Sequence, residues 1–255
     1  MGDQYYFERP NAVDLDAASI GISSQSWGSV DFSDKDKISK ATALIEEKRY
    51  DIVPIIGQSG QTTEYYTLSD NGKVVDRAIG KTLHFRTPIE GALEVMVREQ
   101  INHVFLTNDR GIITGLLSAC NFNCRGFVTL VFSKIVRYEM AIASALREHN
   151  VETEETAEEI NARKSNLDVD RFEHMSIETL QNNFRKTSFW EGAGFPSKTK
   201  YEEWTKRFPN LRNSVAHAGA GRSLIDSNRT LEDLHNTISD ITDETERVIR
   251  LILNE

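Results

Sequence analysis

Residues 37–70 read KISKATALIEEKRYDIVPIIGQSGQTTEYYTLSD, and residues 88–121 read PIEGALEVMVREQINHVFLTNDRGIITGLLSACN. Placed one above the other, the two stretches align without a gap at an offset of 51 residues. Ala41 falls on Ala92, Leu44 on Val95, Ile45 on Met96, Tyr50 on Ile101, Val53 on Val104 and Ile55 on Leu106. Each copy has the same order. A stretch of helical period comes first (KISKATALIEEK, then IEGALEVMVRE), and an apolar run follows (DIVPII, then NHVFLT). A Gly-containing turn (QSGQ, then DRGI) leads to a second strand (EYYTL, then ITGLLS). Apolar pairs alone coincide by chance at some offset. Here Gly60 also falls on Gly111, Thr67 on Ser118 and Asp70 on Asn121, and that combination marks an internal repeat.

The ends of the two copies carry the first candidate chemistry. Thr67 and Asp70 stand three apart, as do Ser118 and Asn121. A carboxylate accepts from both hydroxyls of a ribose, and a nearby hydroxyl holds a phosphate or ribose oxygen. Asn offers one carbonyl acceptor and an amide donor, so Asn121 is expected to hold a ribose less well than Asp70. The competing reading is that Asp70 and Asn121 cap following helices. With these residues the segment 25–123 resembles a tandem pair of CBS domains, whose ribose-binding signature is a Ser or Thr, two residues, then Asp. Thr67-Leu68-Ser69-Asp70 matches it in full, and Ser118-Ala119-Cys120-Asn121 departs at the acid. The resemblance implies an α/β module of tandem β-α-β-β-α units that binds an adenosine nucleotide (AMP, ADP or ATP) as a regulator. Residues 1–24 are set apart as an N-terminal extension.

From about residue 124 the pattern turns helical. Phe127, Leu130, Val131, Ile135, Tyr138, Ile142 and Leu146 recur at three- and four-residue steps and predict one helix over 125–149. The acidic stretch VETEETAEE (151–159) follows as an exposed helix or linker, then a helix within FEHMSIETLQNNFRK (172–186). Residues 188–199 read as a loop, 200–218 as a helix stopped by Gly219 and Gly221, and 230–253 as a final amphipathic helix. Four long helices predict an all-α bundle. The two cysteines, Cys120 and Cys124, are read as small buried hydrophobes, since two thiols are too few for a structural zinc site.

Within that bundle, PNLRNSVAHAG (209–219) places Arg212 five residues before His217, with the polar Asn213 directly after the Arg. This segment, with WTKRFPNL before it and RYEMAIASAL on the long helix, resembles the HEPN ribonucleases over residues 124–255. That resemblance implies a metal-independent RNA endonuclease with catalytic Arg212, His217 and Asn213, no cofactor for catalysis, and a homodimer. The chemistry is coherent with it. A histidine titrates near neutral pH and serves as base or acid, and an arginine presents a charged fork to phosphate oxygens. Five helical steps turn about 500°, so Arg212 and His217 lie about 140° apart on a regular helix. One copy therefore makes an incomplete site, and two copies about a two-fold axis complete it. Glu139 is a further candidate to pair with Arg212 or to orient His217.

Charge supports a local phosphate site in an acidic chain. The 255 residues carry a formal net charge of −9, which disfavours nonspecific coating of nucleic acid. Between Pro196 and Arg222, however, six basic residues, among them Lys206 and Arg207, face two glutamates. Lys206 and Arg207 are the candidate RNA contacts. Trp204 and Phe208 lie in the same island, either stacked on bases or in the bundle core. Hydrophobic residues make up 39% and charged residues 27%, an ordinary globular composition. No apolar run reaches 18 residues and no signal-like N-terminus is seen, so a cytoplasmic protein without membrane association is expected. The second class of function left open is a noncatalytic nucleotide-sensing dimerisation scaffold.

Overall fold

A computed structural model describes residues 15–149, 151, 160, 175–206, 208, 211, 212, 215, 223–225 and 229–253. The chain divides into two compact units, Leu15–Cys124 and the part from Arg125 onward. Among the described residues no helix is long and apolar enough to cross a membrane.

The first unit opens with a short helix α1 (Ala17–Ile20) and strand β1 (Ile22–Ser23). Asp16 caps α1 by accepting from the Ser19 amide at 2.8 Å. The first repeat then builds β2 (Val30–Asp31), α2 (Lys37–Lys48), β3 (Val53–Ile56), β4 (Thr62–Leu68) and β5 (Val74–Ala78). The second builds β6 (Thr82–His84), α3 (Ile89–Arg98), β7 (His103–Thr107) and β8 (Ile113–Ser118). Two four-stranded sheets result, in the orders β2-β3-β4-β5 and β1-β8-β7-β6.

The repeat holds down to single backbone torsions. Val53 pairs with Tyr66 as Val104 pairs with Leu117, and both hairpins bulge at the same place, after Ile55 and after Leu106. Arg49 and Gln100, at the ends of α2 and α3, both take the left-handed conformation, at φ 57° and 54°. Gly60 and Gly111 take it in the hairpin turns, at 75° and 73°, where a residue without Cβ closes the turn unstrained. Most apolar positions of the repeat helices and strands face inward, Ile22, Ile38 and Leu68 being exposed exceptions. Val30, Ala41, Ile45, Val53, Ile55 and Tyr66 form the core of the first repeat. Ile52, Phe105 and Leu116 form a second cluster drawn from both repeats, with Trp27 and Tyr65 packed on it.

Three details depart from the expected β-α-β-β-α plan. No helix follows Asp70; the chain turns at Ser69–Gly72 and returns as β5, with Leu68 opposite Val74. Asn71-Gly72, with Gly72 at φ 73°, is hairpin-turn chemistry, and it outweighs any helix signal there. The edge that β5 fills in the first sheet is filled in the second by β1, which pairs Ile22 with Leu116 and Ser23 with Gly115. Residues 15–24 thus belong to the unit. Finally, Cys120 is exposed and Cys124 only partly buried, in and just after a 3-10 turn at Ala119–Asn123, rather than on one buried helical face.

The second unit is helical: α4 (Arg125–Glu148), α5 (Ile177–Lys186), α6 (Phe189–Gly192), α7 (Lys198–Thr205) and α8 (Leu231–Leu253). The predicted apolar stripe of α4 is the one it buries, from Phe127 to Leu146. The main packing is α4 on α8. It is pinned at its margin by Arg137 donating to Glu246 at 2.9 Å. Thr230 and Asp233 cap α8 reciprocally, the Thr230 amide donating to the Asp233 carboxylate at 2.9 Å. The segment read as a loop, 188–199, contains α6 and the start of α7, each short. The predicted helix 200–218 is described as α7 and at scattered residues beyond it; its stops Gly219 and Gly221, and the acidic segment 152–159, lie outside the described residues.

Candidate functional site

In the first unit a cavity of about 140 Å³ opens between the residues preceding β2, the loop joining α2 to β3, and the end of β8. Its apolar floor is Ile52 and Leu116, both buried. Its walls carry Trp27, Tyr50, Arg49, Asp51, Ser118 and Cys120. Two aromatic residues, an arginine, an aspartate and a serine therefore line one concave surface. Aromatic faces accept a flat heterocycle, a carboxylate accepts from hydroxyls, and a guanidinium pairs with phosphate.

Local folding explains why these side chains meet. Arg49 ends α2 in the left-handed conformation and turns the chain toward β3. The Thr67 hydroxyl donates to the Asp51 main-chain oxygen at 2.9 Å and ties the loop to β4. Trp27 packs edge-on against Phe105, with centroids 6.2 Å apart. Gly28 lies under the Tyr50 ring, where a Cβ would stand 2.4 Å from Tyr50 Cε2, so only glycine lets the ring settle there.

The four sequence-predicted ligand residues separate. Ser118 lines the cavity. Asn121 turns back on Ser118, its carboxamide oxygen accepting from the Ser118 amide at 2.7 Å and from the hydroxyl at 3.0 Å. Thr67 acts on Asp51 rather than lining the wall. Asp70 stands exposed in the hairpin turn between β4 and β5 and is absent from the lining. The residues that sequence reasoning missed are Trp27, Arg49, Tyr50 and Asp51. A signal for three of them was present in the aligned repeat: Arg49-Tyr50-Asp51 falls on Gln100-Ile101-Asn102, where charge and an aromatic ring are replaced together.

In the helical unit, Arg212 donates through Nε to Glu139 Oε1 at 2.9 Å. The arginine side chain keeps 40% of its exposure, while Glu139 keeps 18%. Burial pushes the Glu139 carboxyl up from its ordinary value, and the Arg212 hydrogen bond and charge oppose the shift. Arg207, Asn213 and His217 lie outside the described residues. Lys206 is exposed, its ammonium 4.0 Å from Glu202. Lys200 of the basic island meets Glu203 at 2.7 Å, and Arg185 on α5 shares Glu202 at 3.0 Å. The island's aromatics belong to the core. Phe208 is buried and stacks on Tyr138 at 5.3 Å, and Trp204 packs on both.

The interior of this unit also holds polar groups that the sequence pattern does not announce. Glu244, on the buried face of α8, is 1% exposed, and neither carboxylate oxygen has a hydrogen bond among the described residues. Burial pushes its carboxyl up to about 8, against a weak opposing pull from Arg247 Nη1 at 3.7 Å. The Tyr138 and Tyr201 hydroxyls and the Gln181 amide nitrogen are likewise buried, with Tyr201 and Gln181 both interacting with the Tyr138 hydroxyl. Both tyrosines titrate above the ordinary range, chiefly because of burial.

Neither a family model nor a curated protein matches the chain. Among solved structures, the chain is similar to CBSX2 in complex with AMP, at 17% identity over 42% of this chain and 92% of that one, with a TM-score of 0.36. It is similar to the CBS domain of a bacterial CNNM/CorC family Mg2+ transporter in complex with ATP, at 14% identity over 45% and 87%, with a TM-score of 0.37. It is also similar to a CBS domain pair in complex with 5′-methylthioadenosine and S-adenosyl-L-methionine, at 16% identity over 42% and 96%, with a TM-score of 0.35.

Proposed function

We propose that this chain is a metal-independent RNA endonuclease regulated by an adenosine nucleotide, the nucleotide sitting in the Trp27–Tyr50 cavity and the cleavage site lying at Arg212 and His217 of a homodimer. The observation that carries the catalytic half is the Glu139–Arg212 pair. A part-buried carboxylate holds Nε at 2.9 Å, while the guanidinium retains 40% exposure. An arginine oriented from behind and open in front suits a phosphate diester.

The reaction follows from the residue types. The ribose 2′-oxygen attacks the adjacent phosphorus, a P–O2′ bond forms and the P–O5′ bond breaks. His217 of one copy takes the 2′-hydroxyl proton, and the second copy's His217 supplies a proton to the departing 5′-oxygen. Arg212 neutralises the crowded phosphoryl oxygens, and Asn213 offers them a further donor. Lys206 and Arg207 hold the flanking backbone. The products are a 2′,3′-cyclic phosphate and a 5′-hydroxyl. A second reading, a noncatalytic nucleotide-sensing dimerisation scaffold, rests on the same ion pair, since a salt bridge that anchors a helix needs no substrate.

The test is cleavage of RNA by the purified full chain in EDTA, with and without AMP, ADP or ATP. The proposal expects cyclic phosphate ends from wild type, and a loss of about 100-fold or more in His217→Ala, the usual scale for a missing general acid–base group. Arg212→Lys is expected to fall nearly as far, because an ammonium lacks the fork. No cleavage by wild type under any nucleotide, with nucleotide binding intact, would leave the scaffold reading standing.

A further inference from the structure

We infer that the chain has one nucleotide site rather than two, and that Asp51, not Asp70 or Asn121, accepts from the ribose hydroxyls in it. The inference rests on the nucleotide-sensing half of the reading above. Asp70 is exposed in a hairpin turn and does not line the cavity. Asn121 has already committed its carboxamide oxygen to two donors on Ser118, at 2.7 and 3.0 Å, and keeps only an amide donor for anything else. Neither of the two motif positions is placed to receive a vicinal diol in this cavity.

Asp51 meets the requirement. It is on the cavity wall, next in the chain to Tyr50, and is exposed at the opening. Its main-chain oxygen is held by Thr67 at 2.9 Å, so its position is set by the sheet rather than by the loop alone. Its carboxylate makes no hydrogen bond among the described residues, and the titratable neighbour it acts on is His103. A carboxylate takes two hydroxyl donors at once, which an amide cannot. Trp27 and Tyr50 supply faces for the base, and Arg49 supplies the charge for a phosphate.

The repeat then decides the number of sites. The positions equivalent to Arg49, Tyr50 and Asp51 are Gln100, Ile101 and Asn102. At those three positions there is no cation, no aromatic ring and no carboxylate. The Asn102 main-chain oxygen accepts from the Ala119 amide at 2.9 Å, so the loop is tied to its strand end as the first one is. The scaffold is duplicated; the Arg-Tyr-Asp trio is not.

Isothermal titration of the full chain with AMP, ADP and ATP and their 2′-deoxy counterparts tests this. One equivalent of the ribonucleotide is expected per chain, with the 2′-deoxy form weaker by about tenfold or more, the scale of a hydrogen bond to a charged group. Asp51→Asn, an exposed and isosteric change checked by thermal melting, is expected to weaken the ribonucleotide and to erase the difference between the two sugars. Asp70→Asn is expected to leave both affinities unchanged. Two equivalents per chain, or sugar discrimination lost in Asp70→Asn and kept in Asp51→Asn, would overturn the inference while leaving nucleotide sensing in place. Failure of every nucleotide to bind would remove the nucleotide-sensing reading together with it.

Discussion

Gly28 and Tyr50 make a sharp residue-scale test of the cavity. A methyl group at Gly28 would lie 2.4 Å from Tyr50 Cε2 and 3.3 Å from Leu44 Cδ2. Tyr50 is 39% exposed, so its ring can swing outward instead of straining the core. Gly28→Ala is therefore expected to change stability by about 1 kcal/mol or less. Nucleotide affinity is expected to fall by about tenfold, near the low end of base–aromatic stacking. Equal affinity in the variant would show that Tyr50 does not contact the base. Gly111 behaves differently. Nothing crowds its Cβ position, but its φ of 73° is unfavourable for any L side chain. Gly111→Ala is expected to lower stability by about 1–2 kcal/mol, read from the denaturant midpoint.

At the scale of an element, α8 carries an apolar stripe interrupted by one buried carboxyl. Glu244 binds its proton far more tightly in the folded chain than in the unfolded one, where a glutamate keeps its ordinary value near 4.5. Its contribution to stability is thus full below about pH 4.5 and is lost progressively as pH rises toward 8. The groups facing it are Arg247 on its own helix, Tyr138 on α4 and Tyr201 on α7, with Arg185 on α5 beside Tyr201. Glu244→Gln removes the titration. Denaturant midpoints from pH 5 to 8 are expected to move in the variant's favour, with a slope approaching about 1.4 kcal/mol per pH unit. A pH-independent difference between variant and wild type would show that the carboxyl is solvated in solution.

For the whole molecule, the proposed cleavage site needs two chains. Cleavage per chain is expected to fall on dilution as the mass measured by light scattering drops from dimer to monomer, and a rate indifferent to dilution would point to a site complete in one chain. The repeat, the α4 stripe and the final amphipathic helix were legible in the sequence because each rests on periodic burial. An apolar residue at the right spacing has one low-energy place to go, so Val53 and Val104, or Phe127 and Leu146, could be placed by counting. The pairing of Glu139 with Arg212 is one of the two roles the sequence left open for Glu139, the other being to orient His217. What the sequence could not determine by itself was the membership of the cavity. Trp27, Tyr50 and Ser118 are far apart along the chain and meet only because the sheets bring the end of β8 beside the loop after α2. Nor did it show that Asp70 ends in a turn, that β1 closes the second sheet, or that a glutamate lies inside the bundle. Each of these depends on where hydrogen-bonding groups find partners, and that is settled by contacts distant in sequence rather than by local pattern.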